Sequence, residues 1–410
     1  MKIGVIVDNE LNNDKRVLRQ IKILKESGNK IFVLCFGFDK KNHSFISSIN
    51  ITRINIRKRL KNILFFILNS FPAYEWLWSS RIKKFIINNN IEVLHVHDLY
   101  MSRSAHSGRR KAKKDIPIIL DLHENYPFAV TTYNWTKGFL RSLISQPLAW
   151  KSKEKEYLGY ADKVIVLSED FKEELISRYP ELTKKEFLVL PNVPDNEKME
   201  QSSSYEVKIP FKKTAPIIFY FGVIAERRGV FNALGVFTEM VKENDPAIFL
   251  LIGPVDKKDK KRFFSIIQSE SLVNHVRYIP WIDISELPAY LEISDICIAP
   301  FEKNPQHESG VANKIFDYML GKKPIVASDC RPQQKLIEKY NCGIVYRNDK
   351  EMKEAIINLL YDKELSAKMG QNGYNAIIEE FNTNKVKGQL LSLYNKIDAV
   401  VSHSRSQNGK

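Results

Sequence analysis

The chain has 410 residues, more than one hydrophobic core usually supports, so two domains of roughly 200 residues each are expected. No apolar run is longer than ILFFIL at 63 to 68, which falls far short of the roughly 18 residues of a spanning helix and excludes a membrane-embedded class. Four cysteines, Cys35, Cys297, Cys330 and Cys342, show no C-x-x-C spacing, which excludes a zinc ribbon or disulfide framework and reads as a reduced cytosolic protein.

The net charge of +15 is local rather than general. Residues 51 to 114 carry 14 Lys/Arg against 3 Asp/Glu, a surplus of +11. The N-terminal MKIGVIVDNE meets Asp8 too soon for a signal peptide, so a cytoplasmic location is expected.

In chain order, IGVIV at 3 to 7 predicts a strand, and Val17, Leu18, Ile21 and Leu24 recur at helical spacing up to the stop at Gly28. KIFVLCF is the next strand, followed by strands at 92 to 97, 117 to 122 and 163 to 167 with helical patterns between them. The pattern restarts after a Pro-, Ser- and charge-rich linker at 194 to 216. Further strands are predicted at 217 to 222, 247 to 253, 276 to 280, 296 to 300, 323 to 328 and 342 to 346, and residues 354 to 398 read as helical.

Alternating strands and helices imply α/β architecture with parallel, doubly wound sheets, and two such Rossmann-like domains in series place a cleft between them. The expected division is 1–200, 201–380, a C-terminal helix at 381–400 packing back on the first domain, and a disordered tail at 401–410.

Ligands of parallel sheets collect where strand ends lead into helix starts. The stretch ICIAPFEKNPQHESGVANKIFDYML is such a strand, loop and helix, with the small residues Ser309, Gly310, Val311 and Ala312 at the turn. Free amides there attract anions, and Lys314 in the first turn would oppose the helix dipole unless a negative group such as a diphosphate is bound. Glu308 and Asp317 can accept hydrogen bonds from sugar and ribose hydroxyls. YFGVIAERRGV repeats the logic: Gly222 ends a strand, Gly229 permits a close turn, and Arg227 and Arg228 supply guanidinium groups suited to phosphate.

In the first half, LHVHDLY and LDLHENYP end consecutive strands and gather His95, His97, Asp98, Asp121, His123 and Glu124. Imidazole and carboxylate suit zinc or manganese, so a metal-dependent hydrolase using His95, His97, Asp98 and His123 is one reading. Hydrogen bonding to loop backbone is the other.

YFGVIAERRG, ADKVIVLSEDFKEEL, VLPNVPD, ELPAYLEISDICIAPFE and ESGVANKIFDYMLGKKPIVAS resemble, in order and spacing, the nucleotide-sugar glycosyltransferases of family 4. The resemblance covers about residues 1 to 395. It implies the two-domain GT-B fold, retention of anomeric configuration, and chemistry with no metal or other cofactor. It implies catalytic roles for His123, Glu308, Arg228 and Lys314. Donor contacts are implied from Gly222, Arg227, Arg228, Ile282, Glu308, Ser309, Gly310, Val311, Ala312, Asn313, Lys314 and Asp317. Asn13, Arg16, His97 and Glu124 fall on the acceptor side. Asp317 matches the second of the family's paired glutamates; eight residues earlier stands Ser309 with Glu308 beside it, so either takes the place of the first. Val223 stands where an arginine commonly follows the strand-ending glycine. A non-catalytic protein that keeps the fold is a further alternative.

RINIRKRLKNILFFILNSFPAYEWLWSSRIKK interleaves cations with aromatic rings, a mixture suited to an anionic membrane surface. Residues 53–85, with GRRKAKK at 108–114, are therefore expected to dock the chain peripherally on the inner face of the cell membrane. No nucleic-acid recognition motif accompanies the patch, and no nucleic acid is expected as a partner. The expected partners are a nucleotide diphosphate sugar donor, UDP- or GDP-linked, and a lipid-linked or cell-surface glycan acceptor.

Overall fold

The structure, a computed structural model, describes residues 1–38, 49–133, 135–194, 210–243 and 247–408. It divides into two compact units, Met1–Pro191 together with Val386–Lys410, and Asn192–Lys385.

In the first unit the strands are β1 (Lys2–Ile6), β2 (Lys30–Gly37), β3 (Asn50–Asn55), β4 (Val93–His97), β5 (Ile118–Asp121), β6 (Lys163–Val166) and β7 (Glu186–Val189). Among the described residues they form one sheet in the order β3-β2-β1-β4-β5-β6-β7, with every neighbouring pair parallel. The helices are α1 (Lys15–Glu26), α2 (Lys58–Phe66), α3 (Ala73–Asn89), α4 (Ser102–Ala112), α5 (Tyr126–Thr132), α6 (Phe139–Ser145), α7 (Ala149–Gly159) and α8 (Glu169–Arg178). The side chain of Asp14 caps α1 by accepting from the Val17 amide at 3.1 Å, which satisfies one of the amides a helix start leaves open.

The second unit holds β8 (Ile217–Phe221), β9 (Ile248–Ile252), β10 (Val276–Ile279), β11 (Ile296–Ala299), β12 (Ile325–Ser328) and β13 (Gly343–Tyr346). Their order is β10-β9-β8-β11-β12-β13, again all parallel. Its helices are α9 (Val230–Lys242), α10 (Lys260–Ile267), α11 (Leu287–Ile293), α12 (Asn313–Leu320), α13 (Arg331–Tyr340), α14 (Asp349–Tyr361) and α15 (Lys363–Glu379).

Both sheets follow the doubly wound order, in which strand order reverses beside the first strand and opens a crevice at the carboxyl ends. That switch point lies between β1 and β4 in one unit and between β8 and β11 in the other. Strands such as β9 and β11 are buried along their whole length, as expected when helices cover both faces of a parallel sheet.

A last helix, α16 (Thr383–Asn408), buries Val386, Leu390, Leu393, Tyr394 and Ile397. Its Lys396 pairs with Glu186 at 2.7 Å and its Lys387 with Glu26 at 3.6 Å. The helical backbone runs on through 401–408, where the sequence predicted a disordered tail; no Gly or Pro interrupts residues 389 to 408, so nothing local stops the helix. Among the described residues no helix is long and apolar enough to cross a membrane.

The basic aromatic segment divides in two. Tyr74 and Trp78 are core residues, and Phe65 packs edge-on against Tyr74 and Tyr100, whereas Phe71 and Trp76 remain exposed. The expectation that the rings act together at a surface therefore fails for α3, whose inner face is needed to cover the sheet. In the run at 108–114, Arg109 donates to the Ile116 carbonyl at 3.0 Å and pairs with Asp162 at 3.1 Å, while Lys111 donates to Ser79 at 2.7 Å.

Candidate functional site

In the second unit the switch point collects the cations. Gly222 follows β8 with φ +129, a backbone conformation that favours glycine, and a Cβ there would lie 3.1 Å from the Lys314 ammonium. Gly229 has φ +69, and a Cβ there would stand 1.5 Å from the Pro300 carbonyl oxygen, which locks the Arg227–Arg228 turn against the end of β11. The Lys314 ammonium sits 3.5 Å from the Tyr220 ring centroid and 5.1 Å from that of Phe301. Arg228 lies over the same Phe301 ring at 5.3 Å.

Lys314 is buried and its ammonium has no hydrogen-bond partner in the protein. Burial, with Arg228 adding its repulsion, holds that ammonium well below the usual lysine range. A buried charge without a partner costs several kcal/mol, and a buried polar group without one calls for a specific explanation. The helix it belongs to, α12, begins at Asn313, and Ala312 before it supplies no side-chain cap to the amides of Asn313 and Lys314. An anion at this point would satisfy both.

Arg227 leans toward Asp256 at 3.9 Å. The His307 and Phe301 rings meet tilted, with centroids 4.7 Å apart; burial, together with repulsion from Arg228, Arg227 and Lys314, brings the imidazole down to about 4, so it is neutral at physiological pH. Glu308 accepts from the Arg331 amide at 2.9 Å, and Ser309, fully buried, donates to the Gln306 carbonyl at 2.7 Å. Ser309 is thus spent on its own loop, while Glu308 keeps a carboxylate oxygen beyond that bond. Gly310, Val311 and Ala312 line the approach to α12, Asn313 opens it, and Asp317 is half-buried one turn below Lys314. Ile282 is buried in the unit's core cluster.

Sequence reasoning missed Phe301, His307 and Tyr220. Phe301 was findable, because it follows β11 at the switch point; the ring under two cations shows only in three dimensions.

In the first unit the switch point holds a buried polar network around Asp121. Arg16 donates to Asp121 at 2.6 Å and Gln20 donates to its other oxygen at 2.8 Å. His95, His97 and His123 approach the same carboxylate at 3.7, 3.6 and 3.8 Å. Burial alone would raise the Asp121 carboxyl, but Arg16 and the imidazoles outweigh it and hold it well below the carboxylate range. His97 Nδ1 and His123 Nε2 lie 2.9 Å apart, and His95 Nδ1 meets the Tyr394 hydroxyl of α16 at 2.7 Å. Burial, reinforced by its two histidine neighbours, pushes His97 well below its ordinary value.

His95, His97 and Asp121 present ligand atoms within 4.8 Å of one another. Both Asp121 oxygens are already bonded, however, and a buried guanidinium adjoins them, which disfavours a divalent cation at this point. Arg16, expected on the acceptor side, is spent on Asp121 because an unpaired buried carboxylate would be costlier still. Glu124 accepts from the Tyr133 hydroxyl at 2.6 Å. Asn13 closes a short 3-10 turn at Leu11–Asn13, and its side chain lies outside the described residues. His123 retains 20% side-chain exposure and is the open end of the network.

Beside it, Asp98 has φ +71, an uncommon backbone conformation for a non-glycine residue. Asp8 lies at the end of β1, where it accepts from Tyr74 and pairs with Lys61 at 3.3 Å; burial pushes it up to about 7. No local pattern points to the Asp8–Lys61 link, since Lys61 reads only as part of the basic patch.

Two family models match the chain in succession: Glycosyltransferase Family 4 over residues 15–198 and Glycosyl transferases group 1 over residues 202–376. The chain is 25% identical over 185 residues to an alpha-D-kanosaminyltransferase of Streptomyces kanamyceticus, a match that takes in 44% of this chain and 46% of that one. The chain thus spans about half the length of that curated relative. Its fold is similar to that of sucrose-phosphate synthase from Thermosynechococcus elongatus, with a TM-score of 0.74 at 16% identity over 98% and 100% of the two chains. It is also similar to Anabaena HepE in complex with UDP-glucose, with a TM-score of 0.66 at 14% identity over 97% and 100% of the chains. The switch-point cations, the two doubly wound sheets and both family matches agree that the chain belongs to the family 4 type of GT-B glycosyltransferases.

Proposed function

We propose that this protein is a retaining, metal-independent glycosyltransferase that moves a hexose-type sugar from a nucleoside diphosphate sugar, UDP- or GDP-linked, to a hydroxyl of a lipid-linked or cell-surface glycan precursor. The observation that carries the reading is the buried, unpartnered Lys314 ammonium beside Arg228 and the uncapped start of α12. The UDP-glucose bound by the Anabaena protein supports the donor class.

As the bond to the anomeric carbon breaks, charge grows on the departing diphosphate. Groups already fixed where that charge develops lower the barrier, because they need no rearrangement during the reaction. Arg228, Lys314 and the amides of Asn313 and Lys314 take that role. Glu308 orients the sugar and Asp317 the ribose. The acceptor's chemistry places the reaction at the inner face of the cell membrane.

Release of nucleoside diphosphate from a panel of UDP- and GDP-sugars, with the anomeric configuration of the product read by NMR, tests the reading. Lys314→Ala and Arg228→Ala should each reduce turnover about tenfold or more. Turnover unchanged in both variants would remove the phosphate assignment, and an inverted product would remove retention.

A further inference from the structure

Two short helices of the first unit leave much of their apolar surface uncovered. α2 contains Leu60, Ile63, Leu64, Phe65 and Phe66, yet none of its residues is fully buried. α6, FLRSLIS, buries only Ser145. Phe139 is 84% exposed, Leu140 69% and Leu143 63%, and Leu148 follows at 65%. Soluble chains rarely leave such side chains in one place unless something covers them.

The two helices adjoin. In the turn after α2, Asn69 donates to the Ser145 and Gln146 carbonyls at 2.9 and 3.1 Å, and Ser70 donates to the Ile144 carbonyl at 2.5 Å. Lys153 holds the same Asn69 at 2.8 Å, and the Phe66 and Trp135 rings meet at 6.2 Å. The exposed Phe71 and Trp76 pack edge to face at 5.3 Å on the α2 side.

The sequence flanking this apolar surface carries charge of one sign. Residues 40 to 74 and 125 to 153 contain no Asp or Glu, while Arg57, Lys58, Arg59, Lys137, Arg141 and Lys151 are all exposed.

We propose that α6 with residues 146–148, together with α2 and the turn that follows it, forms an interfacial docking surface for an anionic lipid bilayer. Phe139, Leu140, Leu143 and Leu148 enter the acyl boundary and the flanking cations meet the headgroups. Apolar insertion and cation attraction each contribute to such binding, and the carboxylate-free sequence on both sides removes the repulsion that would oppose it. This keeps α2 from the basic aromatic segment, drops the 108–114 run, whose Arg109 and Lys111 are engaged within the unit, and adds α6, which has no basic run of its own. The inference rests on the proposed bilayer-anchored acceptor for its purpose, but not for its physical basis.

The test is flotation of the full chain with vesicles of pure phosphatidylcholine and with vesicles containing phosphatidylglycerol, alongside light scattering and calorimetry with UDP and GDP. The unaltered chain should float with anionic vesicles at low salt. Leu140→Glu with Leu143→Glu should weaken that partition at least about tenfold, since two inserted leucines are replaced by carboxylates facing anionic lipid. The positions are exposed, so the variant's thermal transition and its nucleotide binding should be unchanged. No flotation of the unaltered chain, or equal flotation of the variant, would overturn the proposal. A dimer dissociated by the substitutions without vesicle binding would assign the face to a second copy instead. Nucleotide binding is read separately, so a failed glycosyltransferase reading leaves a distinct result from a failed docking surface.

Discussion

At the scale of single residues, Lys314 decides the chemistry. Its ammonium is buried beside Arg228 without a hydrogen-bond partner, so its surroundings in the protein favour the neutral amine more than water does. A bound diphosphate reverses that preference by supplying opposite charge. Between the lowered value in the protein alone and the ordinary lysine value of 10.5, binding therefore takes up a proton, and affinity declines as pH rises through that window. Calorimetry of UDP or GDP binding in buffers of different ionisation heat should show the uptake at alkaline pH, and Lys314→Ala should abolish it. Affinity independent of pH with no proton uptake would mean that the ammonium does not meet the ligand. His123 is the corresponding residue of the first unit, an imidazole whose neighbours are fixed by Asp121 and His97 while its own side chain stays partly open.

At the scale of elements, the strand-to-loop-to-helix turns were the most legible part of the sequence. The six strands of the second unit lie where the sequence predicts them, and the inner ones, such as β9 and β11, are the plainest, because strands buried on both faces have little choice but Val, Ile, Leu and Phe. β3, NITRIN, and β7, EFLV, escaped notice for the opposite reason: they are the edge strands, short and partly polar, as edges that must resist pairing with other chains tend to be. The site was legible where a residue type is forced by backbone geometry. Gly229 is such a place, and Gly229→Ala should cost about 1–3 kcal/mol from the backbone conformation alone, with the clash against Pro300 added. Thermal melting of the variant, with its nucleotide affinity, checks this; a stable variant that binds normally would show that the turn tolerates a different path. Partners drawn from distant elements were not legible. Phe301 under both cations, Gln20 on Asp121 and Tyr394 on His95 depend on packing that no local pattern encodes.

At the scale of the whole molecule, two units share one strand order and place their polar groups at the equivalent switch point, yet fill it differently. The first spends Arg16 on a buried carboxylate, whereas the second leaves Lys314 without a partner. The chain's last helix is counted with the first unit, although the chain reaches it only after the second. Leu390 is fully buried there, so Leu390→Ala should destabilise by about 2–5 kcal/mol and raise hydrogen exchange within residues 1–191 rather than 192–385. Uniform or absent changes in exchange would separate α16 from the first unit.

The central claim is that the second unit grips a diphosphate. Its most direct measurement is the affinity of the full chain for a nucleoside diphosphate against the matching monophosphate, in the unaltered protein and in Lys314→Ala with Arg228→Ala. The diphosphate should bind at least about tenfold tighter, the equivalent of one charge-assisted hydrogen bond, and the double variant should lose that preference. Equal affinities in the unaltered protein, or a preference that survives both substitutions, would contradict the account.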